Sequence, residues 1–241
     1  MNSRLACVLL VTSLAACGSD NKSTADSGNG SGSGSAAAMI TITGTAKTVS
    51  AGGSSPAAGV TVGAYRNSDE NTPVATATTD TGGNYSLTIM TNGQALDGFL
   101  KGTLAGDLDT YLYPPAPLAA DYAGAAINMV TESTVQTLST VCGHGITESN
   151  GVLGVEVFDA SMQPVAGAAI TTTPMAAKNC YDGATAGFPD SSKTVTGADG
   201  LAYAIDLSGS VTVSAQKSGL TFPSHTVKVR VGTLTTTLVA P

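Results

Sequence analysis

One unit of sequence occurs twice in the 241 residues, and it constrains what the chain can fold into. Pro56-Ala57-Ala58-Gly59-Val60-Thr61-Val62 recurs as Pro164-Val165-Ala166-Gly167-Ala168-Ala169-Ile170. Downstream of each copy lies a turn, Thr79-Asp80-Thr81-Gly82-Gly83-Asn84 in the first and Thr196-Gly197-Ala198-Asp199-Gly200 in the second. Both turns lead into an alternating segment, Tyr85-Ser86-Leu87-Thr88-Ile89 and Tyr203-Ala204-Ile205-Asp206-Leu207. Proline fixes φ ahead of a strand, glycine admits the sharp turn, and Asp/Gly-rich turns supply the positive φ of tight hairpins. The order strand, Pro-x-Ala-Gly, strand, turn, strand therefore predicts two small β units rather than one large domain.

Period-two alternation continues outside the repeat. Ile40-Thr41-Ile42-Thr43 and Val211-Thr212-Val213-Ser214-Ala215 each give a strand with one buried face. Val227, Val229 and Val231 share one face of a further strand, with Lys228 and Arg230 on the other. Thr233 to Val239, rich in threonine and poor in charge, reads as a pleated, half-exposed ladder. Short strands at this spacing favour a sandwich. Tyr111-Leu112-Tyr113-Pro114-Pro115-Ala116-Pro117 is expected to be irregular or edge chain, because proline cannot donate within a ladder. Between the copies, Val135, Leu138 and Val141 recur every third residue with Glu132 ahead of them. That spacing fits a short helix that Gly143 would end, with a strand as the rival reading.

Both copies resemble carboxypeptidase regulatory-like domains, the transthyretin-like or prealbumin-like β-sandwiches. The resemblance rests on the Pro-x-Ala-Gly-x-x-Val/Ile and Thr-x-x-x-Gly elements and spans 39–110 and 151–241. It implies an all-β chain of two tandem transthyretin-like β-sandwiches, at 39–130 and 151–241, joined by a connecting segment at 131–150 that holds the short helix. The second copy departs by an insertion: Gly59 to Gly83 is 24 positions, Gly167 to Gly200 is 33. The extra loop carries Cys180, Tyr181 and Phe188. Such domains imply a fold and no chemistry.

At the N-terminus, Leu14-Ala15-Ala16-Cys17 closes a short apolar run that begins after Arg4. Leu5 to Ala16 is too short to span a bilayer and has the charged start, apolar middle and small-residue end of a secretory signal. The pattern resembles the lipobox of bacterial lipoproteins, in which signal peptidase II cuts before a cysteine that already carries diacylglycerol. This implies a signal peptide at 1–16 and Cys17 as a lipidated mature N-terminus tethered to a membrane of the cell envelope. Several acyl chains, at ~0.8 kcal/mol per buried methylene, anchor far more firmly than one. Gly18, rather than Asp, follows the cysteine, which implies the outer membrane. Residues 17–38 are dominated by Ser, Gly, Asp, Asn and Ala, a flexible linker with a reach of roughly 25 Å. The whole chain, including the ending Ser224-His225-Thr226-Val227-Lys228-Val229 and Leu234-Thr235-Thr236-Thr237-Leu238, is similar to lipoproteins of myxobacterial type.

With Cys7 lost in the signal and Cys17 lipidated, Cys142 and Cys180 remain as one pair in an oxidising compartment, which predicts a disulfide. A closed loop of 38 positions contributes ~4 kcal/mol in the chain-entropy model. A metal site on Cys142 and His144 lacks a second ligand pair. Asp107-Leu108-Asp109 and Ser68-Asp69-Glu70-Asn71 could offer oxygen ligands to calcium, but solvated loop acids account for both. No metal or cofactor is expected.

Catalytic chemistry has little to stand on. Ser224 and His225, adjacent on a strand, point to opposite faces and form no dyad, and His144 sits between glycines in a loop. There is no Gly-x-Ser-x-Gly elbow, no His-Glu-x-x-His and no phosphate-cradling glycine loop. A net charge of −7 argues against nucleic acid. What remains is a non-catalytic, lipid-anchored envelope protein, acting as a structural or protein-interaction module with an envelope protein as partner. The alternative is a carbohydrate-binding surface module. Its platform would be Tyr111, Tyr113 and Tyr122, the local aromatic cluster of a chain without tryptophan.

Overall fold

The computed structural model of the chain describes residues 36–50, 53–183 and 189–241. The expected signal peptide, Cys17, nearly all of the linker and Phe188 lie outside the described residues. The first half contributes β1 (Met39–Ser50), β2 (Gly53–Pro56), β3 (Thr61–Arg66), β4 (Ala75–Thr78), β5 (Asn84–Met90), β6 (Gly98–Thr103), β7 (Thr110–Tyr113) and β8 (Tyr122–Val130). Helix α1 (Glu132–Val141) leads to β9 (Gly151–Val157), β10 (Ala169–Thr173), β11 (Lys178–Asp182), β12 (Pro189–Asp190) and β13 (Leu201–Leu207). The chain ends in β14 (Gly209–Lys217), β15 (Leu220–Thr221), β16 (His225–Val229) and β17 (Leu234–Val239).

These strands form β-sandwich layers. One four-stranded sheet contains β2, β1, β5 and β8, and another contains β10, β14, β15 and β16. Both pack on a nine-stranded sheet of order β12-β11-β13-β9-β17-β7-β6-β3-β4. The repeat is visible in the pairing: β1 runs antiparallel to β5 and parallel to β8, as β9 does with β13 and β17. Likewise β3, β6 and β7 correspond to β10, β14 and β16. The halves join through strands that are not equivalent, β17 lying parallel to β7 from Leu234–Thr110 to Thr237–Tyr113.

Strand alternation at that junction sends neighbouring side chains to opposite sides of the long sheet. Leu100 and Leu112 enter the first core with Ile42, Leu87 and Ile127. Phe99, Tyr111 and Tyr113 enter the second with Leu153, Val155 and Val213. The two smaller sheets therefore cover opposite faces of one continuous sheet.

A buried threonine seals the same turn in both copies. Thr79 Oγ1 donates to the Ala57 carbonyl at 2.6 Å and accepts from Val60 N at 2.9 Å. Thr196 repeats this with the Val165 carbonyl at 2.6 Å and Ala168 N at 2.9 Å. Gly83 and Gly200, at φ +78° and +71°, also correspond: a Cβ at either would lie 2.4 or 2.5 Å from the carbonyl oxygen of Ala46 or Val157. Only glycine fits such a left-handed turn pressed against a neighbouring strand.

The structure corrects several local expectations. Tyr111–Tyr113 lies in β7, fully buried near the middle of the long sheet rather than at an edge. The prolines begin at Pro114, where the ladder has already ended, so no donor is lost. The threonine-rich ending is not half-exposed: Thr235 and Thr237 are 0% and 2% accessible, flanked by β7 and β9. Their hydroxyls are satisfied by backbone carbonyls, Thr235 by Lys228 at 3.5 Å and Thr237 by Tyr113 at 3.0 Å. Val231 does not share the buried face of Val227 and Val229, because β16 stops at Val229. Cys180 and Tyr181 sit on β11, paired with β13, rather than in a loop.

The connecting segment holds one helix, α1, with turns and irregular chain after it. Thr131 caps α1, its Oγ1 accepting from Thr134 N at 3.2 Å, and Gly143 follows the C-terminus at φ +77°. Its buried pair is Val135 and Ser139, four apart, while Val141 is exposed.

Candidate functional site

Among the described residues, chemistry-bearing side chains converge at the junction of the halves and in a cleft beside it. At the junction, the Arg230 guanidinium lies 4.0 Å from the Tyr111 ring centroid and 4.5 Å from that of Phe99. It donates to the Tyr113 hydroxyl at 3.2 Å and to Glu70 at 3.0 Å. Lys228 donates to both Glu70 oxygens, at 3.0 and 2.9 Å. Burial works against the Glu70 charge, but these hydrogen bonds and the two cations together hold its carboxyl below its ordinary value. Glu70 lies in the loop after β3 and the cations lie in and just beyond β16, so the cluster locks one half to the other. Beside it, His225 Nε2 is 2.7 Å from Thr237 Oγ1, whose own proton goes to the Tyr113 carbonyl. The ring therefore donates, and burial lowers its pKa and keeps it neutral.

The cleft is about 1100 Å³ in volume. One wall is the outer face of β1 and β8, with Thr43, Thr45 and Asn128, continued by Val135 and Leu138 of α1. The opposite wall is the face of β9, β13 and β17 turned away from the second core, with Gly154, Glu156, Tyr203 and Leu238. Glu156 is the unusual member. It is half-buried and opens onto the cleft, no hydrogen bond or ion pair joins it to a described residue, and burial, with the charge of Asp199 adding to it, pushes its carboxyl up to about 6. Tyr122 faces it across the cleft, its phenol pushed up to about 12 by burial and then by the charge of Glu156.

Among residues singled out from sequence, Cys142 and Cys180 are joined by a disulfide with Cα atoms 5.6 Å apart. It fastens the end of α1 to β11 and is packed with Val130, Val135, Val152, Ile205 and Leu234. The bond removes Cys142 as a metal-binding thiolate, and His144 Nδ1 instead lies 2.6 Å from the Gly145 carbonyl oxygen. The acidic loops do not converge. Asp69 accepts from the backbone of Asn71 and Thr72, Glu70 serves the junction, and Asp109 pairs with Lys101 at 2.7 Å. Asp107 lies apart, its carboxyl raised by burial. Among the described residues, no group of three His, Cys, Asp or Glu side chains is placed to hold a metal. Tyr111 and Tyr113 are buried against Phe99 and Tyr122 is partly buried, so the three form no exposed stacking platform. Glu156 escaped the sequence reading, although it is the sole charge in Gly151-Val152-Leu153-Gly154-Val155-Glu156-Val157, a run otherwise fit for burial.

Fold and site together define a tandem β-sandwich protein, disulfide-stapled and locked through one shared sheet. No protein-family model and no curated protein matches the chain. Solved structures similar to it include GBS52, the minor pilin of Streptococcus agalactiae, at 11% identity over 83% of this chain and 94% of that one, with a TM-score of 0.27. Another is the shaft pilin SpaA of Lactobacillus rhamnosus GG, at 13% identity over 84% and 98% of the two chains, with a TM-score of 0.25. The Bacillus anthracis TIE protein aligns at 12% identity over 83% of this chain but only 34% of its own, with a TM-score of 0.27. Overlaps of this size transfer none of these proteins' properties to this chain. Among the described residues, no helix is long and apolar enough to cross a membrane.

Proposed function

We propose that the chain is a non-catalytic structural or interaction module of a bacterial cell envelope, lipid-anchored through Cys17 and directed to the outer membrane. The observation that carries this reading is the fusion of two sandwiches into one body by β17 pairing with β7, reinforced by Glu70 on Lys228 and Arg230. Such a body holds its outer surfaces in fixed relation, which suits presentation to a protein partner in the envelope. The lipobox-like Leu14-Ala15-Ala16-Cys17 and the Gly/Ser-rich segment after it supply the tether. At the junction the ionisable side chains serve pairing and packing, and both histidines are engaged by neighbouring oxygen atoms.

The reading is tested by metabolic palmitate labelling of the expressed protein with and without Cys17→Ser, followed by membrane fractionation and capture of crosslinked neighbours. Labelling of the wild type that vanishes in the variant, with release of the variant from membranes and a reproducible envelope protein among the neighbours, is the expected result. An unlabelled wild type in the soluble fraction overturns the anchor, and capture of glycan without protein overturns the partner class.

A further inference from the structure

We propose that the cleft between β1–β8 and the face of β9, β13 and β17 is a binding site for a small organic cation, an apolar body carrying one ammonium or guanidinium group that pairs with the Glu156 carboxylate. Its volume of about 1100 Å³ lies just above the usual range of small-molecule sites, roughly 300–1000 Å³. Much of the lining is apolar, with Phe158, Leu201 and Leu238 beside the aliphatic part of α1. Binding sites of this kind combine an apolar wall with a few placed polar groups, and here the charged group without a partner is Glu156.

The chemistry selects the sign of the ligand. A half-buried carboxylate is partly dehydrated and its charge is disfavoured, and a cation brought to it in a largely apolar cleft offsets that cost. Asp199 contributes further negative potential near Glu156. The ionisable groups lining the cleft are Lys47, Tyr85, Tyr122, Glu156 and Tyr203. Tyr85 and Tyr122 stay neutral at physiological pH, since burial raises both phenols. An apolar tail along Leu201 and Leu238 would leave the ammonium group at Glu156, a geometry that an anion or a neutral alcohol cannot exploit. This site is independent of the lipid anchor and of any protein partner.

The test uses the full mature chain carrying Cys17→Ser, titrated at pH 7.5 with n-octylammonium, n-octanol, octanoate and a blocked Leu-Val-Lys-Val-Leu peptide. Methyl shifts of Leu201 and Leu238 report where each probe sits. Octylammonium is expected to move those methyls, with affinity lowered about tenfold or more by Glu156→Gln. Its affinity should also fall as the pH drops through about 6, where the carboxylate takes up its proton. Octanol and octanoate should bind at least about tenfold more weakly than octylammonium. Glu156→Gln replaces a charge by a neutral group of the same shape, so the variant remains folded and the comparison stands. Equal affinity of octylammonium for both proteins, or equal binding of octanol, overturns the proposal. Saturation by the peptide while octylammonium leaves the methyls unmoved overturns the small-ligand assignment.

Discussion

The pH dependence of stability should change in a calculable way when Glu156 is replaced by glutamine. Burial raises the Glu156 carboxyl from 4.5 to about 6 in the folded chain. The native state therefore binds this proton more tightly than the unfolded state does. Stability from the group is fully present below pH 4.5 and is lost as the pH rises through about 6. The difference between the two values corresponds to ~2 kcal/mol. Tyr122 stays protonated through this window, and the remaining carboxylates are common to both proteins, with Asp199 entering through its contribution to the Glu156 shift. Urea unfolding of the Cys17→Ser chain, with and without Glu156→Gln, at pH 4, 5, 6 and 7.5 gives the required free energies. The glutamine variant should match its parent at pH 4 and exceed it by ~2 kcal/mol at pH 7.5, with most of the gain appearing between pH 4.5 and 6. A difference that stays flat to within ~0.5 kcal/mol across that range would refute the account of Glu156 as a half-buried carboxylate whose charge is disfavoured in the folded chain.

Three further perturbations test the frame. Replacing both Cys142 and Cys180 with alanine should lower stability by ~4 kcal/mol in the chain-entropy model, read as a fall in the urea midpoint. Two free thiols in the unreduced mature protein by mass spectrometry would contradict the bridge. Thr79→Val and Thr196→Val each strand a buried amide and a buried carbonyl in equivalent turns. Both should cost ~1–3 kcal/mol in chemical denaturation, and unequal effects would argue against a shared turn. Arg230→Ala removes two ring contacts and the hydrogen bonds to Tyr113 and Glu70. The loss should be ~2 kcal/mol, with hydrogen exchange accelerated in β7 and β17 ahead of β5 and β13. Uniform acceleration would mean that Arg230 does not guard the junction.

What could be read from the sequence was local, and what could not was the joining of distant segments. The repeated Pro-x-Ala-Gly and Thr-turn-Gly elements announce themselves because each is a backbone requirement, a fixed φ, a positive φ or a turn, written within a few residues. The disulfide followed from counting cysteines, and α1 was favoured over a rival strand by threefold apolar spacing with Glu132 ahead of it and Gly143 after it, while its Thr131 cap came only from the structure. Tyr111–Tyr113 misled because three prolines follow within four positions and local rules assign such a segment to an edge. Thr235 and Thr237 misled because threonine is usually a residue of half-exposed strands. Both segments are buried for the same reason, that they pair with each other across 124 positions. No local pattern encodes that partner. Glu156 belongs to the same class, for its strand is apolar on one side because of the second core and faces the cleft on the other.

The way the halves meet also explains where the cations are spent. Since β8 and β17 hold the same place in their sandwiches, and β7 and β16 likewise, the pairing of β17 with β7 joins unlike edges, a head-to-tail contact that in principle repeats from molecule to molecule. The counterpart of β7 in the second half is β16, and an unprotected strand edge of that kind invites further pairing. It is this strand and the residues just after it that carry Lys228 and Arg230, both held by Glu70 from the first half. An added strand along β16 would have to displace or desolvate these charges, whereas β7 meets β17 through Thr110, Tyr111, Leu112 and Tyr113, with no charged side chain in its register. One arrangement of charge thus does two things: it clamps the first half to the second and closes the edge through which the same contact could otherwise continue.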